Sequence, residues 1–253
     1  MAIADDYVDN DLKARRVALD GAQRRRIYLF RRGAVDYVDN DGNVVPDPDD
    51  VALNERGQAQ ADAMRELFAG VTVDRAACSG LRRTRETASR VLGERELELE
   101  VHAGFEEIRP ARGEEAYDLD LVDQVAFSHW RATEQDSRFL GGERYADFYQ
   151  RISAEMDSFT SDPDWHNLAI FAHGVTNAAI LGWTSGLGLS AFGTVDQATC
   201  CVNVLDFDFA AGDGRLLRKV VRAMNITVDD PVKSGRHSSG MESLARHLMK
   251  FNS

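Results

Sequence analysis

The chain has 253 residues and a formal net charge of −12, with 43% hydrophobic and 28% charged residues. This length and composition indicate a globular protein with a packed core and exclude a fibrous or disordered chain. The negative balance argues against a nucleic-acid or anionic-membrane partner, because binding to such polyanions depends on surplus Lys and Arg. Any anion that this chain binds therefore needs a local positive site.

The start of the chain and its cysteines predict a cytoplasmic protein. Residues 1–23 carry mixed charges, without a basic start followed by an apolar core, and we interpret them as a peripheral arm or a poorly ordered terminus. Cys78, Cys200 and Cys201 are odd in number, and two of them are adjacent, so no disulfide framework is implied. No run of residues approaches the length of a membrane span.

The first half of the chain alternates predicted strands with predicted helices. Residues 27–30 form an apolar run that is typical of a buried parallel strand, whereas the arginines at 24–26 are interpreted as solvated. A helix is predicted to follow Asn54, which is a suitable N-cap, and to reach residue 68. A second strand ends near Ser79, and it is followed by a helix at 82–93 with a terminal glycine.

The second half of the chain continues this alternation. Its elements are, in order, a half-exposed edge strand at 97–102, an irregular cap at 104–142, a helix at 144–159, a strand at 167–172, and a hairpin of strands at 200–209 and 215–224. Ser239 stands three residues before Glu242, a capping-box pattern that predicts an amphipathic helix in the tail at 226–253.

Strands that alternate with helices predict a single three-layer α/β domain over residues 24–225, with a mostly parallel central sheet and helices on both faces. In such sheets, ligands bind outside the carboxyl ends of the strands. Three predicted strands end in polar residues, namely Arg31 with Arg32, Ser79 followed by Arg83, and His173. We expect these side chains to lie close together.

These residues belong to a longer series of motifs. In chain order they are Arg31-Arg32-Gly33; Leu53, Gly57, Gln60 and Ala61; Ser79, Leu81, Arg83, Thr87 and Ala88; Glu107; Gly141 to Glu143; and His173-Gly174. On these motifs the sequence resembles the histidine phosphatase superfamily, which contains cofactor-dependent phosphoglycerate mutase, over roughly residues 26–205.

The resemblance implies a phosphoglycerate mutase-like fold and a set of roles. In this family the first histidine becomes phosphorylated, two arginines and a second histidine hold the phosphoryl group, and an acid protonates the leaving oxygen. Carried over to this chain, Arg31, Arg83 and His173 take phosphate-binding positions. Glu107 takes the position of the acid, with Glu106 as the alternative. No metal or other cofactor is expected.

Arg32 stands where the family has its phosphorylated histidine. A guanidinium has no lone pair that can attack phosphorus, so Arg32 cannot form a phospho-enzyme. Ala34, Val35 and Val38 also depart from the family's polar loop. Three arginines still predict a strong anion site, and their charge favours a bisphosphate, a pyrophosphate or a phosphate-plus-carboxylate ligand. Arg32 either joins this site or pairs with Glu107 and silences it.

Three functions follow from these residues. The first is binding of a phosphorylated or polyanionic small molecule, with the phospho-histidine route disabled or repurposed. The second is a phosphomonoesterase in which Glu107 or His173 activates a water molecule. The third is a non-catalytic interaction protein that uses its two termini, and no pattern indicates an oligomeric state.

Other candidate groups are interpreted as structural. Cys78 is excluded as a substitute nucleophile, because Thr84 stands where a cysteine-dependent phosphatase needs arginine, and it is predicted to be a small apolar residue at a strand end. The remaining histidines are interpreted as surface residues without the spacing of a metal cluster; they are His102, His129, His166, His237 and His247.

Overall fold

The computed structural model describes residues 21–37, 45, 47–111, 121–162, 164–235 and 237–251. The predicted arm at 1–23 lies outside these residues except for its last three, and so does the part of the predicted cap at 112–120. No helix in the described part of the chain is both long and apolar enough to cross a membrane.

A six-stranded sheet forms the centre of the fold. Its strands are β1 (Gln23–Arg31), β2 (Arg75–Cys78), β3 (Leu99–Val101), β4 (Asn167–Ala172), β5 (Val202–Phe209) and β6 (Leu216–Ile226). They are ordered β3-β2-β4-β1-β5-β6. The first four in this order pair in parallel, whereas β5 pairs antiparallel with both β1 and β6. The mostly parallel sheet, the hairpin and the edge position of β3 are therefore confirmed.

Helices cover both faces of the sheet. They are α1 (Glu55–Phe68), α2 (Arg82–Leu92), α3 (Tyr145–Ser161), α4 (Gly174–Ser185), α5 (Ala191–Thr194) and α6 (Gly240–Phe251). Successive strand residues point to opposite faces, so Leu29 packs with side chains of α3 and α4 while Phe30 packs with those of α1 and α2. The predicted three-layer α/β architecture is confirmed.

Two predicted helix starts are also confirmed. The Asn54 side chain accepts a hydrogen bond from the backbone N–H of Gly57 at 2.9 Å, as an N-cap does. At α6, Ser239 and Glu242 form the reciprocal capping box, with backbone-to-side-chain distances of 2.6 and 3.2 Å. The division of the chain into a domain at 24–225 and a tail at 226–253 stays a prediction. The last strand, β6, ends at Ile226, one residue beyond the predicted end of the domain.

The first strand begins earlier than its apolar run predicts, at Gln23. Arg24 and Arg26 continue the strand because each binds a buried aspartate of β5, at a distance of 2.7 Å. Arg25 points to the other face, where its guanidinium carbon lies 4.3 Å from the ring centre of Phe209. The interpretation of all three arginines as solvated is wrong for Arg25, which is buried.

The described part of the predicted cap is irregular, as expected. In the described residues it contains a π-helical turn (Leu121–Ala126) and three 3₁₀ turns (Ala103–Phe105, Ser128–Thr133 and Phe139–Gly141). Arg151 of α3 fixes the segment of the chain that precedes Glu107. Its guanidinium forms an ion pair with Glu143 at 3.1 Å and donates to the carbonyls of Gly104 and Glu106 at 2.8 and 3.1 Å.

Candidate functional site

The candidate site lies at the carboxyl ends of three neighbouring strands. Arg31 ends β1, Ser79 follows β2, and His173 follows β4 as the N-cap of α4. Because the sheet order places β4 between β2 and β1, the predicted residues meet at one edge. His173 Nε2 lies 2.8 Å from the Ser79 hydroxyl oxygen.

The loop after β1 is fixed by close packing against α1 and α2. Thr87 accepts a hydrogen bond from the backbone N–H of Gly33 at 3.0 Å, and Gln60 accepts one from that of Ala34 at 3.2 Å. A Cβ atom on Gly33 would lie 2.7 Å from the carbonyl oxygen of Gly57, and one on Gly57 would overlap the backbone of Ala34. Two glycines are therefore required where the loop and α1 touch.

Three arginine side chains converge on this loop, and each is only partly satisfied by the protein. Arg31, Arg32 and Arg83 each donate through Nη1 to a backbone carbonyl, those of Gln197, Gly33 and Pro48 respectively. The Nε atom of each arginine is buried and has no hydrogen-bond partner. No carboxylate in the described residues forms an ion pair with any of the three.

The charges of these arginines are desolvated. Arg32 and Arg83 are 8% and 3% exposed. Burial, followed by the neighbouring Arg32 charge, lowers the pKa of Arg31, and burial is also the largest cause that lowers the pKa of Arg83. A guanidinium starts from a pKa above about 12, so all three stay charged. The site thus concentrates positive charge in a chain of net charge −12.

His173 is neutral in this surrounding. Burial lowers its pKa well below the usual 6.5, and the charges of Arg83, Arg32 and Arg31 lower it further. One assignment of protons satisfies the contacts of its ring: Thr84 donates to a backbone carbonyl at 2.7 Å, Ser79 donates to Thr84 at 3.0 Å, and His173 Nε2 donates to Ser79. The proton then lies on Nε2, which leaves a lone pair on Nδ1.

Glu107 lies at the N-terminus of α4 rather than beside Arg32. Its carboxylate accepts hydrogen bonds from the backbone N–H groups of Ile108, Val175 and Thr176 at 3.1–3.2 Å. The predicted alternative in which Arg32 pairs with Glu107 is therefore wrong, because helix amides satisfy the carboxylate instead.

Tyr37 is a site residue that the sequence motifs do not reveal. Its hydroxyl oxygen accepts a hydrogen bond from Arg32 Nη2 at 3.2 Å. The centre of its ring lies 5.6 Å from the guanidinium carbon of Arg32 and 5.9 Å from that of Arg83. Both distances are within the range of a cation–π contact. The one sequence feature that could have indicated Tyr37 is its position as an aromatic residue in the loop after the first strand.

His129 is a second residue that the sequence places wrongly, since it is not a surface residue. Its Nδ1 lies 2.9 Å from the hydroxyl oxygen of Tyr145, and its ring stacks on Phe139 at 5.4 Å. Burial, and then the charge of Arg31, lowers its pKa to about 4. His102 is also half-buried, between two glutamates, whereas His166 and His237 are exposed and the side chain of His247 lies outside the described residues.

A buried amide network positions the carbonyl that binds Arg31. The Gln197 side-chain oxygen accepts hydrogen bonds from Asn203 at 2.7 Å and Cys201 at 3.3 Å, and it lies 3.2 Å from the side-chain amide of Asn177. All four side chains of this network are buried. Because each amide has a partner, the network holds the segment before β5 rigidly beneath the arginine.

In the described part of the chain, neither the cysteines nor the side chains that could bind a metal form a second reactive centre. Cys78 is fully buried in the core, and burial raises the pKa of its thiol, as expected for a structural residue. In the same described ranges, no group of three or more His, Cys, Asp and Glu side chains is arranged to hold a metal ion.

The site geometry agrees with the result of a family comparison. The sequence model of the histidine phosphatase superfamily (branch 1) matches residues 27–219, which include every predicted site residue. The chain belongs to the histidine phosphatase superfamily. The match extends from the first apolar run of β1 into β6.

Curated relatives are phosphatases. The chain is 25% identical over 236 residues to the 2-carboxy-D-arabinitol-1-phosphatase of Triticum aestivum, an alignment that takes in 90% of this chain and 46% of the wheat protein. It is 28% identical over 153 residues to the adenosylcobalamin/alpha-ribazole phosphatase of Escherichia coli, covering 58% of this chain and 73% of that protein. The chain thus spans less than half the length of the wheat relative.

Solved structures share the fold. The mycobacterial glucosyl-3-phosphoglycerate phosphatase superposes with a TM-score of 0.63 at 22% identity, covering 80% of this chain and 99% of that one. The phosphoglycerate mutase of Bacillus anthracis superposes with a TM-score of 0.61 at 17% identity, covering 81% and 94%. The expected phosphoglycerate mutase-like fold is confirmed.

Proposed function

We propose that this chain binds a phosphorylated or polyanionic small molecule through Arg31, Arg32 and Arg83, next to the neutral ring of His173, without forming a phospho-enzyme at residue 32. The observation that carries the proposal is the set of three arginine Nε donors, all buried and all without a partner. A buried donor without a partner costs about 1–3 kcal/mol, and more when it is charged. Phosphate oxygens would satisfy these donors and compensate their charge.

The neutral state of His173 also supports an anion ligand. Its pKa is lowered by burial and by all three arginines, so the positive charges lie close enough to act on one point. A dianion bound there would offset the repulsion among the guanidiniums. Without one, the site retains like charges at low dielectric, which is unfavourable.

The phospho-histidine route is closed in this proposal because of the chemistry of residue 32. A histidine at this position offers a neutral nitrogen with a lone pair, whereas the electrons of a guanidinium are delocalised over a permanent cation. Arg32 Nη1 and Nη2 also donate to Gly33 and Tyr37. The residue therefore acts as a hydrogen-bond donor and binds oxygen atoms.

The names of relatives support the ligand class. The wheat relative is named for a phosphatase of 2-carboxy-D-arabinitol 1-phosphate, a compound with both a carboxylate and a phosphate. The Escherichia coli relative is named for phosphates of ribazole and adenosylcobalamin. A site with three arginines suits small phosphate esters of this kind.

A second candidate function is hydrolysis by direct attack of water. It is favoured by His173, because a neutral imidazole with a lone pair on Nδ1 can accept a proton from water. Glu107 is the other candidate base, but three backbone amides occupy its carboxylate. If hydrolysis occurs, we assign the base to His173.

The decisive experiment compares the natural chain with Arg32→His. Both proteins are assayed on a panel of phosphate esters, with rapid quench to detect phosphorylated protein and calorimetry to measure binding. We expect the natural chain to bind esters without becoming phosphorylated, and Arg32→His to form a phospho-enzyme. Arg82→Gln is the control, because Arg82 is exposed and pairs with Glu86 outside the site.

Three results would decide among the functions. Turnover by the natural chain without a phospho-enzyme supports direct hydrolysis, and loss of this turnover in His173→Gln supports the assigned base. Phosphorylation of the natural chain would contradict the proposal. Failure of both proteins to bind any ester would leave the third function, an interaction protein.

A further inference from the structure

Arg32 adds one positive charge to a site that already resembles a complete phosphoryl pocket. The family pattern holds one phosphoryl group with two arginines, whose positions here are Arg31 and Arg83. The residue between them in the pattern is neutral in the family and cationic here. A ligand with one more negative group than a simple phosphate ester would match the additional charge.

The hydrogen bonds of Arg32 show which donor remains for that group. Nη1 donates to the carbonyl of Gly33 at 2.9 Å, and Nη2 donates to the hydroxyl of Tyr37 at 3.2 Å. Nε is buried without a partner on a side chain that is 8% exposed. This N–H is therefore the donor that the protein itself leaves unsatisfied, and it needs an acceptor from a ligand.

Tyr37 provides a second donor next to Arg32. Its hydroxyl oxygen accepts from Arg32, so its own proton is available for an acceptor on the other side. Its ring also contacts the guanidiniums of Arg32 and Arg83 together, at 5.6 and 5.9 Å. One rigid aromatic side chain thus sets the relative position of the two cations.

We propose that Arg32 and Tyr37 form a subsite that selects ligands with a second anionic group beside the phosphate. The ligand class is a small phosphate ester that also carries a carboxylate or a second phosphate. This inference rests on the proposed function, because Arg31 and Arg83 bind the phosphate itself.

The subsite is tested by calorimetry with four probes: methyl phosphate, inorganic phosphate, pyrophosphate and 2-phosphoglycolate. The proteins are the natural chain, Arg32→Gln, Tyr37→Phe and the control Arg82→Gln, in buffer without other multivalent anions. A charge-assisted hydrogen bond contributes about ten- to a hundredfold in affinity. We expect 2-phosphoglycolate and pyrophosphate to bind the natural chain more tightly than methyl phosphate by about that factor.

The variants separate this subsite from the phosphate pocket. Arg32→Gln should weaken 2-phosphoglycolate and pyrophosphate by clearly more than it weakens methyl phosphate, so that the preference for the doubly anionic probes falls to within about threefold, and Tyr37→Phe should reduce the preference in part. Arg82→Gln should keep the full preference. Thermal unfolding without ligand checks that each variant folds, and Arg32→Met replaces Arg32→Gln if the latter does not.

Two failures remain distinguishable. If no probe binds the natural chain, the proposed function itself is wrong. If all four probes bind with similar affinity, or if Arg32→Gln weakens methyl phosphate as much as 2-phosphoglycolate, phosphate binding stands and the second subsite is refuted.

Discussion

Arg32→Met tests whether the partly unsatisfied Arg32 side chain is held at a cost to stability. Methionine keeps an unbranched apolar stem of similar length and removes the charge and the donors. If Arg32 serves a ligand, the substitution should stabilise the ligand-free protein. If Arg32 serves the fold, the substitution should destabilise it.

The magnitude follows from the surroundings of the guanidinium. Arg32 and Arg83 each lie within 6 Å of the centre of the Tyr37 ring, so their guanidinium carbons are less than about 12 Å apart. At an effective dielectric constant of about 20, two charges at this separation repel by at least about 1 kcal/mol. The buried Nε without a partner adds about 1–3 kcal/mol.

Opposing contributions are of comparable size. The substitution removes the hydrogen bonds to Gly33 and Tyr37 and one cation–π contact, each worth about 1 kcal/mol. The substitution also relieves the repulsion between Arg32 and Arg31, which adds about 1 kcal/mol. The expected net effect is an increase of about 1 kcal/mol in the free energy of unfolding. For a chain of this size, 1 kcal/mol corresponds to about 2–4 °C in melting temperature.

Urea unfolding in phosphate-free buffer measures this change, with the m-value as the check on two-state behaviour. Arg82→Met is the matched control, because it removes the same charge from an exposed position, and it should leave stability unchanged. A second series with pyrophosphate, one of the doubly anionic probes, should stabilise the natural chain more than Arg32→Met. A loss of stability by Arg32→Met in phosphate-free buffer would refute the reasoning, since the guanidinium would then be part of the structural core.

Three further predictions concern the scaffold around the site. The pKa of His129 is about 4 in the folded protein and about 6.5 in the unfolded chain. As the pH drops below about 6.5, the unfolded chain is protonated at this residue before the folded protein is, so the free energy of unfolding falls. His129→Gln should therefore remove about 2 kcal/mol of the loss between pH 7.5 and 5 in urea titrations, and exposed His166→Gln should not. Gly57→Ala should destabilise by about 1–3 kcal/mol and abolish stabilisation by phosphate in thermal unfolding, because its Cβ would overlap the Ala34 backbone, whereas Gly70→Ala, with open space around it, should do neither. Asn203→Leu should lower the free energy of unfolding by about 1–3 kcal/mol in urea, because it leaves buried amide and carbonyl groups unpaired; an unchanged midpoint would contradict the role of that network.

The sequence predicts the layers of this fold well because hydrophobic periodicity is a local property. The run at 27–30 alternates between two cores, and each of the helices α1 to α4 places apolar side chains in one of these cores. The start of β1 could not be predicted in this way. Its arginines are held in a strand by aspartates of β5 that are distant in sequence, and no local pattern reports such a partner.

In the candidate site, too, sequence motifs predict which residues lie together but not which groups they bind. Motifs identify Arg31, Arg83 and His173 as neighbours because the ends of adjacent parallel strands must meet. They do not identify the acceptor of each donor. Glu107 is bound by the amides of α4 and Arg32 by Tyr37, since competition among nearby partners is decided by three-dimensional distance.

The scaffold explains how residue 32 can change its chemistry without a change of fold. The backbone of Arg32 is fixed on both sides, because its N–H donates to the carbonyl of Ala172 at 2.9 Å and its carbonyl accepts from the N–H of Cys200 at 3.0 Å. Neither bond involves the side chain, and the following loop is held by Gly33 against α1. The fold therefore presents any side chain at this position to the same point between β1 and β4. Under the proposed function, a cation at this point replaces a nucleophile, and the surrounding arginines favour an anion there.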